Sequence, residues 1–129
     1  MKSLRNEKGQ SLVEFAILLP VLLLLLMGIL EFGIMLNSYL SINNSAREGA
    51  RLGIVSGSNL EISKLIINIS PNLDSENLIV NITPLEGSRN SGGTLTVEVI
   101  YNYQVNIPII SNILGNVVAL KAQTSMRIE

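Results

Sequence analysis

Lys8-Gly9-Gln10-Ser11-Leu12-Val13-Glu14-Phe15, followed by AILLPVLLLLLMGIL over residues 16–30, sets one carboxylate, Glu14, just inside a stretch of membrane-grade apolarity. A carboxylate in hydrocarbon costs a few kcal/mol unless it is paired or hydrated, so an acidic residue there is a functional hypothesis by default. From Phe15 to Leu30 nothing is charged, and apolar character resumes beyond Glu31 with Phe32, Ile34, Met35 and Leu36. Sixteen helical residues cover only about 24 Å against a hydrocarbon core of about 30 Å. A span therefore draws on Leu12 and Val13 or on residues past Glu31, and each end carries a carboxylate. Ahead of the run, Lys2, Arg5 and Lys8 outweigh Glu7. Short flanks rich in Lys and Arg stay in the cytoplasm, which predicts an inside N-terminus and everything after about residue 36 outside. A cleavable secretory signal fits poorly, because its apolar core is shorter and ends in a small-x-small site. Here the run closes with Gly28-Ile29-Leu30-Glu31-Phe32. Pro20 suggests a bend or local melt, tolerated where membrane neighbours re-satisfy the freed carbonyl.

Counted from the residue after Gly9, Gln10 is first, Glu14 fifth and Phe15 sixth. A glycine, four residues, a glutamate and an aromatic resemble the prepilin-peptidase site of type IV pilins. The resemblance implies cleavage after Gly9 by an intramembrane aspartyl peptidase at the cytoplasmic face. It also implies that the freed amino group of one subunit meets the fifth-position glutamate, Glu14, of its neighbour as apolar helices bundle. Two buried charges of opposite sign offset a desolvation cost that neither bears alone. The bland alternative is a glutamate at headgroup depth, its charge in water, beside a chance glycine.

Composition narrows the function further. With 129 residues, about 93 of them beyond residue 36, there is room for one modest core. Cys, His and Trp are absent. That removes disulfide stapling, thiolate chemistry and the commonest general base and metal ligand. No catalytic residue, cofactor or metal is expected, and the chain reads as a non-enzyme. Beyond residue 36 six basic side chains face seven acidic ones, which leaves no electrostatic footprint for nucleic acid.

The helix is expected to continue through Asn37–Gly53. Tyr39, Ile42, Ala46, Gly49 or Ala50, and Gly53 recur at three and four residues, a stripe that turns from bulky to small. Gly49 and Gly53 form a G-x-x-x-G spacing, which outside a bilayer favours close approach of a sheet over helix dimerisation. Arg47 and Arg51 share another face, with Glu48 placed to pair with Arg51. Their energetics are those of a solvated face, with partner docking by Arg47, Glu48 and Arg51 as the functional alternative. Ala46-Arg47-Glu48-Gly49-Ala50-Arg51 after a Gly-Gln-Ser-Leu-Val-Glu-Phe start resembles the TadE/TadG-like pseudopilins, minor components of tight-adherence pilus systems. The likeness covers residues 9–53, with a weaker echo in Ala122–Arg127.

Further on, Ser56-Gly57-Ser58-Asn59 breaks the long helix. Asn59 is expected to cap a short second helix that turns Leu60, Leu65 and Ile66 inward and ends at Pro71. Leu78–Thr83 reads as a strand and Pro84–Gly93 as a hairpin loop. In the next strand Leu95, Val97, Val99 and Tyr101 alternate with polar or outward residues. A third strand spans roughly Val117–Ile128, reached through Pro108–Gly115 as a short helix or an exposed apolar loop. The three Asn-x-Ser/Thr matches, at Asn43, Asn68 and Asn81, carry little weight.

The expected fold is α+β and pseudopilin-like: a long N-terminal helix, its first half transmembrane, with a three-stranded antiparallel sheet on its second half. Residues 1–9 form a basic leader, 10–36 a transmembrane and assembly helix, and 37–129 an extracytoplasmic domain whose helix continues over 37–55. The resemblance implies a minor pilin or pseudopilin, processed between Gly9 and Gln10 and assembled through Glu14 and Phe15 into a type IV pilus or a related secretion apparatus. Implied partners are the prepilin peptidase, other pilins, the inner-membrane assembly platform and the lipid bilayer. The location is the cytoplasmic membrane, then the pilus. The rival reading is an unprocessed membrane-anchored binding module.

Overall fold

Residues 2–55 and 57–129 are described by the computed structural model, with side chains from Asn6 onward. Met1, Ser56 and the side chains of residues 2–5 lie outside the described residues. So does the reading of Ser56 as the first helix-breaking residue.

One helix, α1 (Lys2–Val55), runs for 54 residues, or about 81 Å at about 1.5 Å per residue. Its first half is apolar on every side, so no face of it prefers this chain over any other apolar surroundings. An 18-residue window there has mean hydropathy 2.7, and none of it is buried. α1 passes through Pro20 without interruption in the single chain.

The second half behaves differently. Ile42, Ala46 and Ala50, each four residues from the next, are fully buried, and Gly49 and Gly53 are buried beside them. The stripe does not begin at Tyr39, which is exposed. Ser38 is the buried residue one turn before Ile42, its hydroxyl donating to the Ile34 carbonyl at 3.2 Å. Tyr39 is one position off the line of i, i+4 neighbours that the sheet covers.

Two elements fill the space these small residues leave. α2 (Asn59–Asn68) begins with a reciprocal capping box. The Glu61 N–H donates to Ser58 Oγ, and the Ser58 N–H donates to the Glu61 carboxylate, both at 3.3 Å. The cap is therefore Ser58 rather than Asn59, because Glu61 stands three residues after Ser58. α2 turns Ile62 and Ile66 into the core, leaves Leu65 half-buried and leaves Leu60 exposed. Ile62 and Ile66, at i and i+4, share the buried face, and Leu60, two positions from Ile62, points away from it. The helix stops at Asn68, short of Pro71.

The other element is an antiparallel sheet of β1 (Leu78–Thr83), β2 (Thr94–Gln104) and β3 (Val117–Arg127), with β2 central. Val99 lies opposite Val80 on one side and Ala122 on the other. Alternation sends Leu95, Val97, Val99, Tyr101 and Tyr103 of β2 to the face against α1. Between β2 and β3 lies α3 (Pro108–Leu114), and Ile109, Ile113 and Leu114 on it are exposed. The helical and the exposed-apolar expectations for this connection thus hold together. Arg89 in the β1–β2 loop donates to the Pro84 carbonyl at 3.3 Å, to the Gly57 carbonyl at 3.2 Å and to the Asn59 side chain, tying the loop to the α1–α2 turn. At the far end the Glu129 N–H meets the Ile54 carbonyl at 3.3 Å.

The two glycines serve different neighbours. A Cβ on Gly49 would stand 2.9 Å from Ile66 Cδ1 of α2, while one on Gly53 would collide with Leu95 of the sheet and stand 3.0 Å from Ile62 Cδ1. The G-x-x-x-G spacing therefore admits one helix and one strand, and only its Gly53 half answers to the sheet. Gly49→Leu and Gly53→Leu are each expected to lower the stability of the full chain in detergent by about 1–3 kcal/mol. Gly33→Leu, where a Cβ meets nothing within 4 Å, leaves the thermal midpoint in place. An unchanged midpoint for Gly53→Leu would show that the sheet does not rest there.

Candidate functional site

The residues singled out in the sequence fall at two ends of one rod. Gly9, Gln10, Glu14 and Phe15 are all helical and exposed. The Gln10 side-chain amide points to the Glu14 carboxylate at 3.5 Å, the outer limit of a hydrogen bond. No ion pair reaches Glu14 among the described residues. Some 33 residues on, or about 50 Å along the axis, Arg51 pairs with Glu48 at 3.3 Å with both side chains well exposed. Such a pair contributes a few tenths of a kcal/mol. Arg47 is exposed beside it. The geometry keeps the two groups apart.

Between them lies a residue that the sequence reading passed over as the end of a span. Glu31 is 1% exposed. Its Oε1 accepts a hydrogen bond from the Tyr103 hydroxyl at 2.8 Å and a second from the Asn106 backbone N–H at 3.2 Å. Oε2 has no partner. Tyr103 ends the buried row of β2 and Asn106 begins the connection to α3, so one carboxylate on α1 fastens the edge of the sheet domain nearest the apolar half. Around it Gly28, Phe32, Met35, Ile110, Ile113 and Leu114 line an apolar groove of about 410 Å³.

The phenol is perturbed accordingly. Burial, then the hydrogen bond to Glu31 and its charge, push the Tyr103 pKa from 10.0 up to about 12, since each disfavours the phenolate. The signal for Glu31 was present in the sequence. A carboxylate flanked by Leu30 and Phe32 demands a partner by the same argument that drew attention to Glu14. Its partners are 72 and 75 residues away, and no local pattern names them.

A polar recess of about 270 Å³ opens on the other side of Tyr103, lined by Ser38, Asn72, Asp74, Asn77, Tyr101, Gln104 and Asn106 among others. Its one carboxylate, Asp74, already accepts from the Glu76 N–H at 3.1 Å and from the Asn77 amide at 3.5 Å. That is the arrangement of a helix cap. Among the described residues no group of three or more Asp, Glu, His or Cys could hold a metal.

Gly9, Gln10, Glu14, Phe15, Glu31, Arg47, Glu48 and Arg51 thus all lie on α1, within one continuous segment. Residues 9–51 match the TadE-like protein family. The match bears out the resemblance read from Gly9–Phe15 and Ala46–Arg51, and it spans about a third of the 129-residue chain. No curated protein and no solved structure matches the chain. The TadE-like segment is α1 without about its first two turns and its last one. The sheet, α2 and α3 lie beyond it.

The Glu31 clasp on the TadE-like helix has a pH signature. A folded-state pKa raised above the unfolded value means that the stabilisation is complete below about pH 10 and is lost as pH rises through about 12. Spectrophotometric titration is expected to show a tyrosine step at about 12 that Tyr103→Phe removes. Glu31→Gln should move that step downward without abolishing the shift, because burial is its largest cause. Tyr103→Phe should cost about 1–3 kcal/mol by leaving a buried carboxylate oxygen short of a donor. A titration without that step would show that the clasp does not form.

Proposed function

We propose that the protein is a minor pilin of the tight-adherence type, a structural component and not an enzyme, which acts by inserting α1 first into the cytoplasmic membrane and then among other pilin helices. The observation that carries this reading is the coincidence of the TadE-like match over residues 9–51 with a helix whose most apolar window is wholly unburied by its own chain. Such a surface is stable only in lipid or against other apolar helices. The basic flank at Lys2, Arg5 and Lys8 supports an inside N-terminus, with residues 37–129 outside.

Processing between Gly9 and Gln10 fits the local physics. A peptidase has to draw its scissile bond out of the helix, and glycine favours helix by about 1 kcal/mol less than alanine. Among the described residues nothing lies within 4 Å of a Cβ placed on Gly9. Removal of residues 1–9 would put a new α-amino group at Gln10, one helical turn from the Glu14 of the same chain and free to meet that of a neighbour. Phe15 adds apolar area to the same contact. Beyond the membrane, Arg47, Glu48 and Arg51 present a charged face for the assembly platform or another pilin.

The test is the N-terminus of the protein isolated from its native host. Mass spectrometry is expected to find a chain beginning at Gln10, and Gly9→Leu is expected to accumulate the longer precursor in the membrane. A native chain that keeps Met1 would identify a membrane-anchored module that never enters a filament. Glu14→Gln should insert at least as well as the parent yet be depleted from sheared filaments, because a neighbour's amine then lacks its counter-charge in a low-dielectric bundle. Normal incorporation of Glu14→Gln, read by immunoblot of the shear fraction, would remove the charge pair from the mechanism.

A further inference from the structure

α3 does not project into solvent with the rest of the outer domain. It folds back along α1 toward the apolar half, where a Cβ on Gly28 would lie 3.9 Å from Ile110 Cδ1. Ile110, Ile113 and Leu114 then share a groove with Phe32 and Met35. A hydrocarbon core of about 30 Å, begun at Leu12, is filled by about 20 helical residues and ends near Glu31. α3 thus lies level with the last turn of the span. We infer that α3 is seated in the bilayer, in the leaflet where α1 emerges, with its exposed apolar side chains among the lipid chains. The inference rests on α1 crossing the membrane.

Three further observations support lipid as the occupant of this surface. No charged residue occurs between Glu98 and Lys121, although the exposed side chains on the β1–β2 loop at the other end of the sheet include Glu86. Ile109, Ile113, Leu114 and Val117 are 51%, 72%, 54% and 47% exposed. They continue the apolar surface of Ile29 and Phe32 on α1, themselves 60% and 65% exposed. The short helix also pairs part of its backbone, though its N-cap, Ile107, brings no side-chain hydrogen bond. Pro108 at its start has no N–H to leave unpaired. The Ser111 hydroxyl donates to the Pro108 carbonyl at 2.7 Å, and the Ser111 and Gly115 N–H groups donate to Ile107 and Ser111 carbonyls at 2.9 and 2.8 Å. Groups left unpaired at the helix ends are met by water only at headgroup depth, which keeps α3 at the surface of the bilayer.

Seating of α3 also explains Glu31. At the depth of the last turn its carboxylate would face lipid, and the α3 connection with Tyr103 and Asn106 covers it instead. The chain then meets the membrane through two elements: α1 crosses it, and α3 lies in its surface and holds the sheet domain against it.

The chain has no cysteine, so a single introduced one is a unique label site. Ile113→Cys, Leu23→Cys and Leu85→Cys, each carrying an environment-sensitive fluorophore, are to be compared in the full-length chain, one copy per phosphatidylcholine nanodisc. Lipid nitroxides are placed either near the headgroup or deep in the acyl chain. The expected result is strong quenching at 113 by the shallow nitroxide, strong quenching at 23 by the deep one, and none at 85. Emission at 113 that matches 85, while 23 is quenched, overturns the seating of α3 alone. No quenching at 23 overturns the crossing by α1, and α3 with it. Blue-shifted emission at 113 that neither nitroxide quenches places protein over α3 in place of lipid, and also overturns the proposal.

Discussion

The shrinkage of α1 from leucine to alanine and glycine between its two halves is the constraint on which the rest of the molecule depends. Ala46, Gly49, Ala50 and Gly53 lower the helix surface on one side, and that depression is where Ile62, Ile66 and Leu95 fit. Each fully buried Ile, Leu or Val contributes about 1.5–3 kcal/mol, and here a few such residues make up most of a small core. A bulky stripe in the same place would hold the sheet away and leave β2 with one face in water. The same helix therefore has two regimes. In the first it offers apolar surface in all directions and takes its burial from other molecules, and in the second it buries one narrow face within its own chain.

Glu31 stands at the border between the regimes. Its carboxylate costs too much to leave in hydrocarbon and is too deep in an apolar run to reach water freely. The fold answers by bringing the end of β2 to it. Tyr103 and the Asn106 N–H satisfy one oxygen, and the segment that follows becomes α3. A charge tolerated in this way fixes the height of the sheet domain along the rod, because moving the domain by one helical turn would strip both donors from a buried acceptor. This use of a buried polar contact to specify register is its best-attested role.

Much of the architecture was legible along the chain. The uncharged run from Phe15 to Leu30, the alternation of Leu95, Val97, Val99 and Tyr101, and the glycine-rich Pro84–Gly93 loop each carry a local period or a turn signal, and each became the element it announced. Some of the differences between reading and structure concern which helical position caps a helix or meets the core. Ser58 replaced Asn59 as the cap because Glu61 completes a reciprocal pair with it, and Ile62 took the buried place expected of Leu60 because it shares a face with Ile66. Ser38 replaced Tyr39 because the covered line is set by where the sheet lies. The two glycines at 49 and 53 were legible as small, and their separate partners were not.

The sequence by itself determined that a single apolar helix leads the chain, that a three-stranded sheet follows, and that the residues of the TadE-like pattern occupy one helix. All of this follows from periodicity and composition, which act between near neighbours. Only the tertiary structure decided that Glu31 would be enclosed, that α3 would lie back against Gly28, and that Gly49 would receive α2 while Gly53 received both α2 and β2. Those contacts join residues up to 82 positions apart, as Gly28 and Ile110 are. Whether they form depends on how far the sheet is held from the helix axis, a distance set by all the packed side chains together and written in none of them singly.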